Sequence, residues 1–133
     1  MHYLVDEQVW ARVEADGSAT VGITSLGVHL AGEVYMCRPK APGTEVKQGG
    51  GVAVVELAKS IVSVKSPLSG RVLEVNPLLA AEPERVHRDP YGQGWLARLQ
   101  PADFESERTA LLHGAAVVPA MERHAHLFRA DNA

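Results

Sequence analysis

Among the side chains of this sequence, the amine of Lys59 has the setting best suited to covalent chemistry with a second molecule. Residues 52–57 form an apolar, β-branched run, residues 61–64 form another, and only Ala58, Lys59 and Ser60 lie between them. That spacing leaves no room for a helix and predicts a tight hairpin with Lys59 at its tip. A hairpin tip fixes the backbone while holding the side chain away from the sheet, so a modifying enzyme can reach the amine. An ordinary surface lysine in a turn has the same local sequence. Strand logic by itself leaves both readings standing.

The other reactive residue types are less favourably arranged. His124 and His126 form a doublet, but positions two apart diverge on a helix and no third ligand stands at a persuasive spacing, so no metal centre is expected. His87 and His113 read as solvated surface residues, whereas His29 lies where a titratable side chain could border a cleft. Cys37 is the only cysteine, which excludes an intramolecular disulfide. Within Val34-Tyr35-Met36-Cys37 it reads as a half-buried, inert thiol. Gly49-Gly50-Gly51 lacks the Lys-Ser/Thr helix start that a phosphate cradle requires, and three successive glycines predict a mobile loop.

The elements that must position Lys59 follow from hydrophobic alternation. Residues 9–13 and 19–23 flank Asp16-Gly17-Ser18 and predict an opening hairpin. Thr24 can cap a short helix over 25–31, weakened by Gly27 and ended by Gly32. Glu33 to Met36 then starts the core, and Ser66-Pro67-Leu68-Ser69-Gly70 makes a second turn before strand alternation resumes over 71–75. Gly32-Glu33-Val34 is echoed by Gly70-Arg71-Val72, which suggests two similar β units packed face to face. Beyond residue 75 the pattern predicts a helical turn near 78–81, a last strand over 95–99, and helices over 102–113 and 121–129 separated by Pro119. Trp95 and Tyr91 read as plugs for the core and its edge.

A chain of 133 residues accommodates one domain, here 1–133, with a core over about 5–100 and a helical extension over about 101–133. With 46% hydrophobic residues and a net charge of −3, it carries no nucleic-acid footprint. No run is long enough to span a bilayer, and no charged n-region precedes an apolar stretch, so a cytoplasmic location without membrane contact is expected.

Further residues fall into a recognisable order: Trp10, Val21-Gly22-Ile23-Thr24, Leu30-Ala31-Gly32-Glu33-Val34, Pro42-Gly43-Thr44, Glu56 and Lys59, Ser66 to Gly70, Pro83, and Pro90-Tyr91-Gly92-Gln93-Gly94-Trp95-Leu96. In this set, from about Val5 to about Leu112, the chain resembles the glycine cleavage H proteins and their relatives. The resemblance implies a mostly β fold, the flattened lipoyl/biotinyl-type β-sandwich (barrel-sandwich hybrid) with a pseudo-twofold repeat, short peripheral helices and a C-terminal helical segment. It implies a non-enzymatic carrier with lipoic acid amide-linked to Lys59, and Glu56 serving recognition by the modifying enzyme. Biotin uses similar hairpins, but biotinyl lysines are usually flanked by methionines, and here the neighbours are Ala58 and Ser60.

The resemblance also bears on the cargo. Family members hold an aminomethyl group with a glutamate directly before the early tryptophan and a histidine after Gly-Ile-Thr; in this chain those sites are Val9 and Leu26. The usual Ser-Val before the lysine is Leu57-Ala58, and the acidic residue four positions after it is Ser63. A cation facing Val9 and Leu26 would be desolvated without a partner, whereas a soft dithiolane would not. The expectation is therefore a carrier of sulfur intermediates or electrons for a heterodisulfide-reductase-like sulfur-oxidation system, with Val9, Leu26 and His29 lining the arm cleft. Lipoate-attaching enzymes, the heterodisulfide-reductase-like complex and dihydrolipoamide dehydrogenase would be its partners. The alternative is a glycine cleavage H protein shuttling the aminomethyl group between glycine decarboxylase and aminomethyltransferase. A third reading is an unmodified H-like interaction module.

Overall fold

Alternating valines, leucines and alanines in short strands give two antiparallel sheets that bury their apolar faces in one core. The computed structural model describes residues 1–131. The strands are β1 (His2–Leu4), β2 (Val9–Val13), β3 (Ala19–Ile23), β4 (Met36–Pro39), β5 (Glu45–Val46), β6 (Gly51–Glu56), β7 (Ile61–Lys65), β8 (Gly70–Val75) and β9 (Ala97–Pro101). The larger sheet runs β1-β2-β3-β9-β8-β5 and the smaller β4-β6-β7. This is the mostly β sandwich with short helices that the sequence implied. Both anticipated hairpins, β2–β3 and β6–β7, are formed.

Trp10, rather than Trp95, plugs the core. Its ring is fully buried and its indole N–H donates to the Ile23 carbonyl at 3.0 Å, whereas Trp95 remains half-buried. Trp10 lies opposite Gly22 in the β2–β3 register, and a Cβ at Gly22 would come within 2.5 Å of the indole ring. Only a glycine leaves room for the ring there. Tyr91 packs on the Trp10 ring at 5.8 Å, and its hydroxyl accepts a hydrogen bond from the Ser25 amide at 3.1 Å.

The helices depart from expectation in instructive places. Helix α1 (Ser25–Ala31) is capped by the Thr24 hydroxyl, which accepts from the Gly27 amide at 2.9 Å, and it ends at Gly32 with φ +94°. After a 3₁₀ turn (Pro77–Ala80) comes the single turn α2 (Arg85–Arg88). The helix expected over 102–113 is only α3 (Phe104–Glu107) followed by a 3₁₀ turn (Arg108–Ala110). Tertiary bonds claim Glu107, whose carboxylate accepts from the Ser69 amide at 2.7 Å and the Ser69 hydroxyl at 2.6 Å. Helix α4 (Val117–Asp131) begins before Pro119 rather than after it, because a first-turn amide has no intrahelical partner to lose. The last strand begins at Ala97, two residues later than its apolar run.

The glycine triplet is an ordered turn, not a mobile loop. The Gly49 amide donates to the Ser66 carbonyl at 2.8 Å, the Gly50 amide to the Lys47 carbonyl at 2.8 Å, and the Ser66 amide to the Gly50 carbonyl at 2.6 Å. Nor is His87 merely solvated: its Nδ1 accepts the Val34 amide at 3.0 Å and so ties α2 to the segment that precedes β4. Among the described residues, no helix is long and apolar enough to cross a membrane.

Candidate functional site

The β6–β7 hairpin pairs Val55 with Val62 and Glu56 with Ile61, and the Leu57 amide donates to the Ser60 carbonyl at 2.8 Å. Ala58 and Lys59 form the corner. Near the sheet, Val52, Ala53, Val55 and Val64 are buried, while every residue from 58 to 63 is exposed. The hairpin is thus anchored at one end and projects at the other. The Lys59 amine is exposed and enters no ion pair or hydrogen bond among the described residues. Glu56 is also exposed, while its carbonyl accepts the Tyr35 amide at 2.8 Å.

One face of this hairpin borders a groove of about 310 Å³, near the lower end of the ~300–1,000 Å³ usual for small-molecule sites. Val55, Leu57, Val62 and Val64 share that face because opposite residues of an antiparallel pair point the same way. Gly27, Leu30 and Ala31, at helical spacing on α1, form a second wall. Asp6 and Glu7 of the 3₁₀ turn (Val5–Glu7), followed by Gln8, border it on another side, and His124 and Phe128 of α4 complete it.

Gln8 fastens three of these elements together. Its backbone has φ 55°, a left-handed conformation that costs a non-glycine residue roughly 1–2 kcal/mol. The surrounding bonds offset that cost: the Thr24 hydroxyl donates to the Gln8 side-chain carbonyl, the Thr24 amide donates to the Gln8 backbone carbonyl at 3.0 Å, and the Gln8 amide nitrogen Nε2 reaches the Val5 carbonyl at 2.8 Å and the Met121 sulfur at 3.3 Å. Gly27 sits against this knot, since a Cβ there would be 2.9 Å from both the Gln8 Cβ and the Ile23 Cγ2. The residue that weakens α1 as a helix is what lets α1 approach.

Val9, Leu26 and His29 differ in their placement. Val9 is 1% exposed within the core, and Leu26 is half-buried on α1. His29 is exposed and lines a separate depression of about 480 Å³ with Ser25, Glu33, His87 and Arg88. None of the three lines the groove beside the hairpin. Asp6, Glu7, Leu30, His124 and Phe128 border this groove, a placement that the sequence did not suggest. One signal was available for the last two: residues 117, 120, 121, 124, 125 and 128 recur at helical spacing, and Ala120 and Ala125 of this stripe are buried. His124 and His126 line different depressions, and no group of three or more metal-ligating side chains occurs among the described residues. Cys37 is buried, which pushes its thiol up to about 12.

The structure thus sets an exposed amine on a fixed tip beside a groove with apolar walls and two carboxylates at its border. A protein-family model described as "Glycine cleavage H-protein" matches residues 1–124. The chain belongs to the glycine cleavage H-protein family. It is similar to the glycine cleavage system H protein of Halorhodospira halophila, with 48% identity over 107 residues covering 80% of this chain and 82% of that one. Glycine cleavage system H protein 2 of Aquifex aeolicus is 37% identical over 124 residues, covering 93% and 77%. The crystal structure of an H protein from Mycobacterium marinum superposes with a TM-score of 0.66 at 32% identity, covering 72% of this chain and 80% of that one. H proteins are lipoate-bearing carriers rather than catalysts.

Proposed function

We propose that Lys59 carries lipoic acid in amide linkage and that the chain serves glycine cleavage, shuttling the aminomethyl group between glycine decarboxylase and aminomethyltransferase. The observation that carries this reading is the groove, whose apolar walls meet the carboxylates of Asp6 and Glu7. The residues present fit the group. Leu57 is two residues from Lys59, so the groove wall begins within ~7 Å along the chain, and a lipoyl-lysine side chain of about ten rotatable bonds reaches ~12 Å. Leu30, Val55, Leu57, Val62 and Phe128 would pack on its hydrocarbon stem and ring, and the amide linkage removes the charge that such packing would otherwise desolvate. When bound, lipoate supplies the dithiol that takes up and releases the transferred group. Asp6 and Glu7 are in no ion pair among the described residues. Their carboxylates therefore remain free for a cationic cargo, the duty for which positions 9 and 26 lack polar side chains. Glu56 stands exposed three residues before Lys59, where a lipoate-attaching enzyme can read it.

The second reading, a carrier of sulfur intermediates or electrons for a heterodisulfide-reductase-like complex with dihydrolipoamide dehydrogenase, draws on the predominance of apolar residues in the same groove. One experiment separates the two. The full chain is incubated with lipoate, ATP and a lipoate ligase, its mass and modified peptide are determined, and the loaded protein is mixed with glycine decarboxylase, glycine and labelled bicarbonate. Loading on Lys59 followed by label exchange into glycine supports glycine cleavage. A loaded chain that gives no exchange, yet passes electrons to the heterodisulfide-reductase-like complex, overturns it in favour of the second reading. Failure to load with any competent ligase overturns the carrier reading itself.

A further inference from the structure

A second concavity, of about 330 Å³, is bordered by His2, Arg108, Thr109, Leu111 and His113 and shares no lining residue with the groove beside the β6–β7 hairpin. Backbone pairing builds it. The Tyr3 amide donates to the Leu112 carbonyl and the Leu112 amide to the Tyr3 carbonyl, both at 2.8 Å, an antiparallel bridge that sets His2 opposite His113. Their ring centroids are 5.2 Å apart, and Phe104 of α3 meets the His2 ring edge-on at 5.1 Å. Leu111 is buried and gives the pocket an apolar side. Arg108 reaches Glu105 through Nε at 3.2 Å in a largely exposed pair, and its two terminal nitrogens enter no ion pair among the described residues. The His2 Nδ1 is shut off from solvent and bonds nothing among the described residues.

We propose that His2, His113 and Arg108 form a binding pocket for a small oxyanion of the phosphate class. No carboxylate lines the pocket, and Glu105 of α3 is held on the far side of the guanidinium by its bond to Nε. The neighbours of His2 on its other sides are Ala11 of β2 and Phe104, both uncharged. Two imidazoles directly opposite one another beside an arginine therefore have no counter-charge, an arrangement that disfavours itself unless an anion joins it. A guanidinium fork matches an oxyanion in shape, and imidazole nitrogens add further donors. Burial first, then the Met1 amino group, His113 and Arg108, hold the His2 imidazole below its ordinary pKa. An anion in the pocket acts in the opposite direction, so its binding and the protonation of His2 favour each other. Affinity accordingly rises as pH falls through the range of histidine titration, by at most about tenfold per pH unit for one proton.

The test titrates the full chain with sodium sulfate at constant ionic strength, balanced with sodium chloride, while the assigned imidazole signals are followed by NMR. Sulfate is the first probe because its charge does not change where histidine titrates. The expected result is a saturating shift of the His2 and His113 signals with those of His124 and His126, which line other depressions, left in place. Binding should be severalfold tighter near pH 5.5 than near pH 7.5, and His2→Gln should flatten that dependence. Arg108→Gln should weaken sulfate about tenfold, with thermal unfolding confirming that the variant is folded. Inorganic phosphate and glycerol 3-phosphate are then compared at one pH: tighter binding of the ester assigns the pocket to phosphate esters, and equal or weaker binding assigns it to the free ion. Shifts that do not saturate, or that are equal at all four histidines, overturn the proposal. Sulfate binding unchanged in a folded Arg108→Gln chain overturns it as well, and so does binding of sulfate without either phosphate. None of these readouts requires a group on Lys59, so the outcome is independent of the carrier reading.

Discussion

The β2–β3 and β6–β7 hairpins are built from strands of five or six residues and closed by short turns, yet they are held in opposite ways. In the first, polar side chains are engaged with one another. The Ser18 amide and hydroxyl both donate to the Asp16 carboxylate, Thr20 and Arg12 both donate to Glu14 at 2.9 Å, and Arg98 approaches Asp16 at 3.8 Å. Gly17, at φ +86°, lets the chain reverse. Beneath them the buried Trp10 ring lies against Gly22. In the second hairpin one backbone bond closes the turn, and Lys59, Ser60, Ile61 and Val62 are all exposed. The first turn satisfies its own polar groups and has a structural role. The second leaves a lysine and two apolar side chains exposed to other molecules.

Substitutions at the two hairpins should separate these roles. The largest effect is expected from Lys59→Arg, which should abolish lipoate attachment entirely, read by intact mass, while shifting stability by no more than ~0.5 kcal/mol in thermal unfolding. Modification appearing at Lys47 or Lys65 in that variant would show the wrong lysine had been chosen. Gly22→Ala should do the reverse: the added Cβ meets the Trp10 ring at 2.5 Å, and overpacking of this kind costs about 1–3 kcal/mol, measurable by denaturant unfolding, with attachment retained in the folded fraction. Glu56→Gln should slow loading severalfold at unchanged stability, measured as the initial rate of mass gain with a lipoate ligase. Equal rates for parent and variant would remove Glu56 from recognition.

The smallest effect concerns pH. The bond from Arg12 holds the Glu14 carboxyl below the usual range, and the bonds from Ser18 do the same for Asp16. Both groups lose their protons more readily in the folded chain than in the unfolded one. The stability they contribute is therefore complete above the ordinary carboxylate pKa of ~4 and is lost as pH falls through their depressed values. Asp16→Asn should flatten part of this acid limb when thermal unfolding is followed between about pH 3 and 6. Unaltered acid sensitivity would show that the turn is held by its backbone alone.

Sequence patterns were sufficient for whatever depends on neighbours along the chain. Both hairpins, the Thr24 cap, the Gly32 stop and the exposure of Lys59 follow from alternation, turn residues and capping chemistry, all of which act within a few residues. Only the tertiary structure decided which tryptophan is buried, because Trp10 and Trp95 sit in similar apolar runs and differ in what packs over them. It also formed the groove beside the second hairpin. Val9 immediately precedes the core tryptophan and is itself buried in the core, while the acidic rim comes from the preceding turn and the aromatic wall from a helix more than 100 residues further on. Spacing along the chain carries no record of that meeting. The groove exists because Gly27 lets α1 approach Gln8 and because Gln8 reaches Met121, and these contacts form only when distant segments pack.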